Sequence, residues 1–246
     1  MKNLLYTLIV LLGAAFSLQA QADYKQWESH YFKAKPGQRE AFEKGLAEHN
    51  KKFHNEDPFK TAIFNVVTGP HSGMYDLEMG PMTFTQMENR PSSAEHDEHW
   101  KKVMEHGELV GETVYWRADK DIDYKPEGSK DFGTYRWRYV TLLPGGGDRY
   151  ESLMENVIAV FKAKGYNRSF NMYWRFGASE GPNVVTELGM KNMASFDDDY
   201  TWIKDYEEVH GEGSYQRFLD DLDLCIDRSK TYDEVVNLNA KLSSDN

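Results

Sequence analysis

The chain has a single cysteine, Cys225, so no disulfide can form within it and its stability has to come from packing. The simplest reading of Cys225 is a small buried apolar residue. Basic residues are outnumbered, 29 Lys and Arg against 40 Asp and Glu, for a formal net charge of −11. This balance argues against nucleic acid and anionic membrane surfaces as partners, because both need basic patches. Beyond the N-terminus no stretch approaches the roughly 18 apolar residues of a membrane-spanning helix. The sequence also lacks a P-loop, a dinucleotide-binding glycine fingerprint, an H-E-x-x-H zinc motif and a G-x-S-x-G nucleophile elbow. Gly145-Gly146-Gly147 lies between a strand and a helix and reads first as a turn.

The first 22 residues read as a secretory signal segment. Lys2 supplies a basic start, 4–12 form a short apolar core, and Ala20-Gln21-Ala22 fits the small-residue cleavage pattern. The mature chain is therefore expected to begin near Asp23, to carry no lipid anchor, and to be periplasmic or secreted.

Against these absences stands a long internal repeat. Trp27, Tyr31, Pro36, Gly37 and Gly69 match Tyr135, Tyr139, Pro144, Gly145 and Gly177, each at an offset of 108. Glu78 and Gly80 match Glu187 and Gly189 at 109. His106-Gly107-Glu108 matches His210-Gly211-Glu212 at 104, which implies about five extra residues in the first copy, within 89–99. A period this long implies two duplicated small domains rather than a solenoid. The expected division is 1–22 signal, 23–124 unit one, 125–132 linker and 133–246 unit two.

Both copies share one order of elements. In the first, 27–33 alternates as a strand, and 38–53 carries Phe42, Leu46, His49 and Phe53 on one helical stripe. Strands 61–68 and 74–79 flank a turn at 69–73, and Thr83 or Thr85 caps a short helix. A helix is expected over 95–116, broken near Gly107 and Gly111, with a last strand over 117–124. In the second copy a strand over 134–143 leads to a helix whose stripe is Tyr150, Met154, Val157 and Phe161. Strands 167–176 and 183–188 follow, then a helix over 196–209 capped by Ser195 and stopped at Gly211, a helix over 214–226 and a strand over 230–237.

Each copy thus reads βαββαβ, the ferredoxin-like motif. A strand ending in Lys35-Pro36-Gly37, an amphipathic helix, a hairpin and a second helix resemble one unit of the dimeric α+β barrel superfamily. The likeness covers residues 23–239. It implies an α+β fold of tandem ferredoxin-like units packed as an α+β barrel, formed within the chain or between chains, with a pocket inside the barrel. The superfamily includes cofactor-free monooxygenases, isomerases and cyclases, haem enzymes, and members without known activity, so it does not select a function.

Strand alternation gives two candidate faces. One carries Trp27, Tyr31, Phe64, Val66, Leu77 and Met79, with Tyr135, Trp137, Tyr139, Met172, Trp174, Phe176, Val184 and Leu188 in the second copy. The other carries Glu28, His30, Asn65, Asp76 and Glu78, with Arg136, Arg138, Asn171, Tyr173, Arg175 and Glu187. The apolar face is expected to meet the helices and the polar face to line the inter-sheet pocket. There Arg136, Arg138, Tyr173 and Arg175 would bind a small, partly anionic ligand, since the guanidinium fork suits carboxylate. His30, Glu78 or Glu187 would serve as general base if burial brings its pKa toward neutrality. The competing reading is a set of structural ion pairs.

His96, His99 and His106 among Glu95, Glu98 and Glu105 are compatible with zinc or copper, but H-x-x-H without a further fixed ligand is a weak signal and reads first as a solvated charged helix. His49 reads as a packed core histidine, and the Met79/Met82 and Met190/Met193 pairs as core filler rather than copper ligands. No metal and no cofactor are expected. The expected partners are a small-molecule ligand and a further copy of the chain in a homo-oligomer. Three functions remain: a small-molecule binding protein, a cofactor-independent oxygenase or isomerase using the same pocket, and a non-catalytic interaction module.

Overall fold

The computed structural model describes residues 24–177, 181–198 and 201–244. The expected signal segment lies outside them, except that Tyr24 and Lys25 lead into the first strand. Among the described residues no helix is long and apolar enough to cross a membrane.

Eight antiparallel strands close into one barrel in the order β1-β3-β2-β8-β5-β7-β6-β4. They are β1 Gln26–Ala34, β2 Thr61–Val66, β3 Tyr75–Met82, β4 Gly107–Tyr124, β5 Thr134–Val140, β6 Ser169–Arg175, β7 Val184–Met190 and β8 Tyr232–Leu238. Helix α1 is Arg39–Phe53, α2 Phe84–Glu88, α3 Ala94–His106, α4 Gly147–Lys164, α5 Trp202–His210 and α6 Ser214–Asp223. Each half contributes four strands with the same connectivity, β4-β1-β3-β2 and β8-β5-β7-β6, and the halves join where β2 pairs β8 and β4 pairs β6. Closure leaves no sheet edge to template pairing with another chain. The α+β architecture expected from the element order is therefore the one observed.

Local chemistry accounts for most boundaries. Gly37 (φ +72°) and Gly145 (φ +77°) occupy matching turns after β1 and β5, in a backbone region that an L side chain rarely adopts. Thr83, rather than Thr85, caps α2, with Gln86 completing a reciprocal capping box. Two boundaries depart from expectation. The helix expected to run to 116 ends at His106, and β4 takes over at once for 18 residues. Gly107 makes this possible: a Cβ there would lie 2.3 Å from the Phe42 ring, so the chain can leave the helix against Phe42 only without a side chain. In the second half Met193–Asp197 forms a 3₁₀ turn and α5 begins only at Trp202, so Ser195 caps no α-helix; its carbonyl instead accepts from Arg168.

Three apolar clusters follow from the topology. Phe42, Leu46, Ile63, Leu77 and Val103 pack α1 and α3 on the outside of the first half. Val140, Met154, Val157, Phe161, Met172 and Leu188 do the same for α4 on the second. Phe64, Val66, Trp116, Trp137, Tyr139, Val185 and Val236 fill the barrel. The C-terminal tail crosses back to the first half. There Leu242 joins the core, its carbonyl accepts from Asn50 at 2.7 Å, and the Ser243 and Ser244 hydroxyls bond the β2 backbone.

The barrel filling corrects the assignment of faces. Trp27, Tyr31, Phe64, Val66, Tyr135, Trp137 and Tyr139 point into the barrel rather than toward the helices, together with Asp76, Glu78, Asn171, Tyr173 and Glu187. Glu28, His30, Arg136 and Arg138 lie on the outer side. The cause is register: Tyr31 stands opposite Asp76 and His30 opposite Leu77, so strands grouped by apolarity are offset by one residue. A one-residue offset moves every side chain to the other face. Both faces of a barrel strand are covered here, so polarity does not mark which face is inside.

Candidate functional site

Inside the barrel the space is nearly used up. Trp27, Glu78, Trp116, Trp137, Tyr139, Tyr173, Val185 and Glu187 surround a cavity of only about 20 Å³, room for one water. Glu187 accepts from Trp137 Nε1 at 2.9 Å, from Asn171 Nδ2 at 2.9 Å and from the Tyr173 hydroxyl at 3.3 Å. Desolvation raises the pKa of both Glu78 and Glu187, and for Glu78 the Asp76 and Glu187 carboxyls add to the rise. These carboxyls are perturbed as a buried base would be, but the cavity that they line is too small for a substrate. Tyr173, expected to bind ligand, is instead a donor to Glu187.

The other expected residues separate. His30 sits outside the barrel, with Nε2 2.7 Å from Glu28 and Nδ1 3.3 Å from the Thr113 hydroxyl. Burial of Glu28 is outweighed by hydrogen bonds from His30 and Arg90, which hold its carboxyl at about 2. Arg175 pairs with Glu112 at 2.7 Å. An inter-sheet pocket combining His30, Glu78 and the arginines therefore does not form.

Arg136 and Arg138 do come together, on the outer face of β5. They line a cavity of about 740 Å³ between the second-half sheet and helices α4, α5 and α6. The volume is that of a small-molecule site. Its walls are largely apolar, with Met154, Val157, Phe161, Phe170, Leu188, Trp202 and Phe218 among them. Polar groups concentrate at Arg136, Arg138, Arg168, Thr186 and Asp233. Arg138 grips Asp233 through two bonds, Nε at 2.7 Å and Nη2 at 2.8 Å. The fork overcomes desolvation to hold the Asp233 carboxyl below its ordinary value. Arg168 is 5 % exposed and donates to the Ser195 carbonyl.

Arg136 differs. Its Nε is buried without a hydrogen-bond partner, and among the described residues no carboxylate forms an ion pair with it. Desolvation, and then the neighbouring Arg138 charge, lower its pKa, and the nearby Asp233 carboxylate offsets only part of this, so its charge is costly where it stands. An anion in the cavity would relieve both effects.

An iron porphyrin in this cavity would need an axial ligand from these walls. The cavity-lining residues offer no imidazole or thiolate; their donors include phenols such as Tyr150 and Tyr215, the Met154 thioether and the Asp233 carboxylate, which is committed to Arg138. Desolvation raises the Tyr150 pKa, which keeps that phenol protonated and a poor iron ligand. The donor set does not fit a haem held by an axial His or Cys.

Two further clusters join residues that no spacing in the sequence links. At one end of the barrel the Glu234 carboxyl accepts from His71 Nδ1 at 2.8 Å, the His71 backbone N–H at 3.1 Å and the Tyr31 hydroxyl at 2.8 Å, while the Tyr31 and His71 rings stack at 4.0 Å. The hydrogen bond to Glu234 raises the His71 pKa. His71 lies in a turn and Glu234 in the last strand, so no spacing in the sequence links them. On the outside of the first half, His96 and His99 of α3 fold against His49 and His54 at the end of α1 rather than facing water alone. Desolvation keeps His49 at about 3 and His54 at about 4, both neutral imidazoles.

No protein-family model and no curated protein matches this chain. Solved structures match its architecture. An anthrone oxidase-like protein superposes with a TM-score of 0.55 at 10% identity, covering 89% of this chain and 92% of its own. A candidate monooxygenase from Lactobacillus acidophilus gives 0.53 at 10% identity, with 90% and 96% covered. A mutant chlorite dismutase from Candidatus Nitrospira defluvii, in complex with cyanide, gives 0.52 at 9% identity, with 90% and 93% covered. At these identities the likeness establishes the α+β barrel fold and not the chemistry.

Proposed function

We propose that this protein binds a small amphipathic anion, an apolar body bearing a carboxylate or similar acid, in the cavity between the second-half sheet and its helices. One observation carries the reading: Arg136 is a half-buried guanidinium whose Nε is buried without a hydrogen-bond partner and which makes no ion pair among the described residues, set in a largely apolar cavity of about 740 Å³. A desolvated charge without a hydrogen-bonded counterion is expensive, and proteins that keep one generally have a use for it. The reading includes export of the chain, as the signal-like N-terminus implies; an intact mass beginning at Asp23 is its check.

Binding is favoured over the oxygenase or isomerase reading by what lies within reach. Glu78 and Glu187 line a space for one water, His30 is tied to Glu28, and Asp233 is held ionised by Arg138. The neighbours named as oxidases or monooxygenases support the fold of such an enzyme but bring no base into this cavity. The filled barrel also suits an interaction module, but that reading leaves the Arg136 cavity without a purpose.

The test uses Trp202, on the cavity wall, as a fluorescent reporter. Dodecanoate and dodecanol are titrated into the mature protein and into Arg136→Met. Wild type should bind the acid at least about tenfold more tightly than the alcohol, and Arg136→Met should lose about 10–100-fold for the acid alone, the worth of one charged hydrogen bond. Equal binding of acid and alcohol, or an unchanged Arg136→Met, would falsify the anion reading.

A further inference from the structure

We propose that His49, His54 and His96 form a binding site for a divalent transition-metal ion, with Zn²⁺ as the best fit, clamping α3 onto the end of α1. The three residues each offer one ring nitrogen, and these atoms lie within 4.8 Å of one another. His49 sits near the end of α1, His54 caps it, and His96 stands in the first turn of α3. The site is far in the fold from the Arg136 cavity, which belongs to the other half, and does not rest on the reading given for that cavity.

The hydrogen bonds around the three rings assign their tautomers. His54 Nδ1 lies 3.1 Å from the Phe59 carbonyl, which can only accept, so Nδ1 carries the proton and Nε2 the lone pair. His96 Nδ1 lies 3.0 Å from the Asp97 carboxylate, which again places the proton on Nδ1 and frees Nε2. His49 Nδ1 lies 3.3 Å from His99 Nδ1, so His49 can donate its Nδ1–H to His99 and leave the third Nε2 with its lone pair. Each ligand then has its second nitrogen held by an outer partner, the arrangement that orients histidines at metal centres. The Asp97–His96 pair is a carboxylate–histidine unit of the kind found beside zinc.

Distances point the same way. His49 Nε2 and His54 Nε2 stand 3.3 Å apart. That equals the spacing of about 3.3 Å between two ligands bound at about 2.0–2.1 Å to a tetrahedral ion. His49 and His54 are 1 % and 7 % exposed and fixed, whereas His96 is half-buried at the opening and can rotate to close the set. Phe53 and Trp100 pack against His49 and keep that side dry. Three imidazole ligands select zinc, copper or nickel over calcium and magnesium, and three protein ligands leave a fourth position for water. His106, the other histidine of this segment, lies apart and bonds to Gln38 at 3.1 Å.

The experiment titrates ZnCl₂ into untagged, EDTA-stripped mature protein by calorimetry, with Co²⁺ as a spectroscopic stand-in. The expected result is one equivalent of Zn²⁺ bound, a tetrahedral Co²⁺ visible spectrum, and a zinc-dependent rise in Tm. His96→Ala should lose the site, Asp97→Asn should weaken it about 10–100-fold, and His106→Ala should leave it unchanged. His49→Ala empties a core position and can unfold the protein, so the half-buried His96 decides the matter. Zinc binding that is absent or not stoichiometric, or that survives His96→Ala, overturns the proposal.

Discussion

The hydroxyls of Tyr31 and Tyr139, 108 residues apart in sequence, meet at 2.7 Å inside the barrel. Tyr31 also donates to Glu234 at 2.8 Å, so its single proton is committed there and Tyr139 must donate to Tyr31. The two deletions should therefore differ. Tyr139→Phe removes one donor and should cost about 1 kcal/mol, whereas Tyr31→Phe takes the donor from Glu234 Oε2, leaves the Tyr139 proton without its acceptor and should cost about 2–3 kcal/mol. Urea denaturation of the two variants measures this; equal costs would mean that the proton order is otherwise.

Asp76 gives the barrel a pH signature. Its carboxyl is fully buried, accepts from Ser29 at 3.0 Å, and leaves Oδ2 without a partner. Desolvation, reinforced by the nearby Glu234, pushes its pKa up to about 7 from an ordinary value near 3.8. Between those values the folded chain holds a proton that the unfolded chain has released. Stability contributed by this group is thus lost as pH rises from about 4 to about 7, at up to about 1.4 kcal/mol per pH unit, and levels off above. Asp76→Asn should abolish that component. Denaturation midpoints of wild type and Asp76→Asn across pH 4–8 should converge at the acid end and separate toward pH 7, and parallel curves would refute the assignment.

Gly107 is required by space rather than by dihedral angle. Its φ is −129°, which any residue can adopt, but a Cβ there would fall 2.3 Å from the Phe42 ring. Gly107→Ala should destabilise by about 1–3 kcal/mol through overpacking. In the double variant with Phe42→Leu the two effects should be clearly less than additive, since the contact that strains the first is gone. Additive losses in thermal unfolding would place the strain elsewhere.

Much of this protein was legible in the sequence because it is local. Periodicity showed α1 through Phe42 and Leu46 and α4 through Met154, Val157 and Phe161; turn chemistry placed the breaks at Gly37 and Gly145. The order of elements then gave the ferredoxin-like βαββαβ motif without any long-range information, and the barrel was what the resemblance to the dimeric α+β barrel superfamily implied. The run after His106 misled because Gly107 and Gly111 resemble helix interruptions, whereas the residues beyond them pair with β1 over its whole length. Only the tertiary structure could decide which face of each strand lies inside, since that depends on the register between strands and both faces are covered. It moved Arg136 and Arg138 out of the barrel into the cavity beneath α4, gave Glu187 three donors, and joined His71 to Glu234 and His49 to His96 across separate elements. The residues were identifiable as candidates from their chemistry; which of them meet is fixed by strand pairing and helix packing, which no single stretch of the chain encodes.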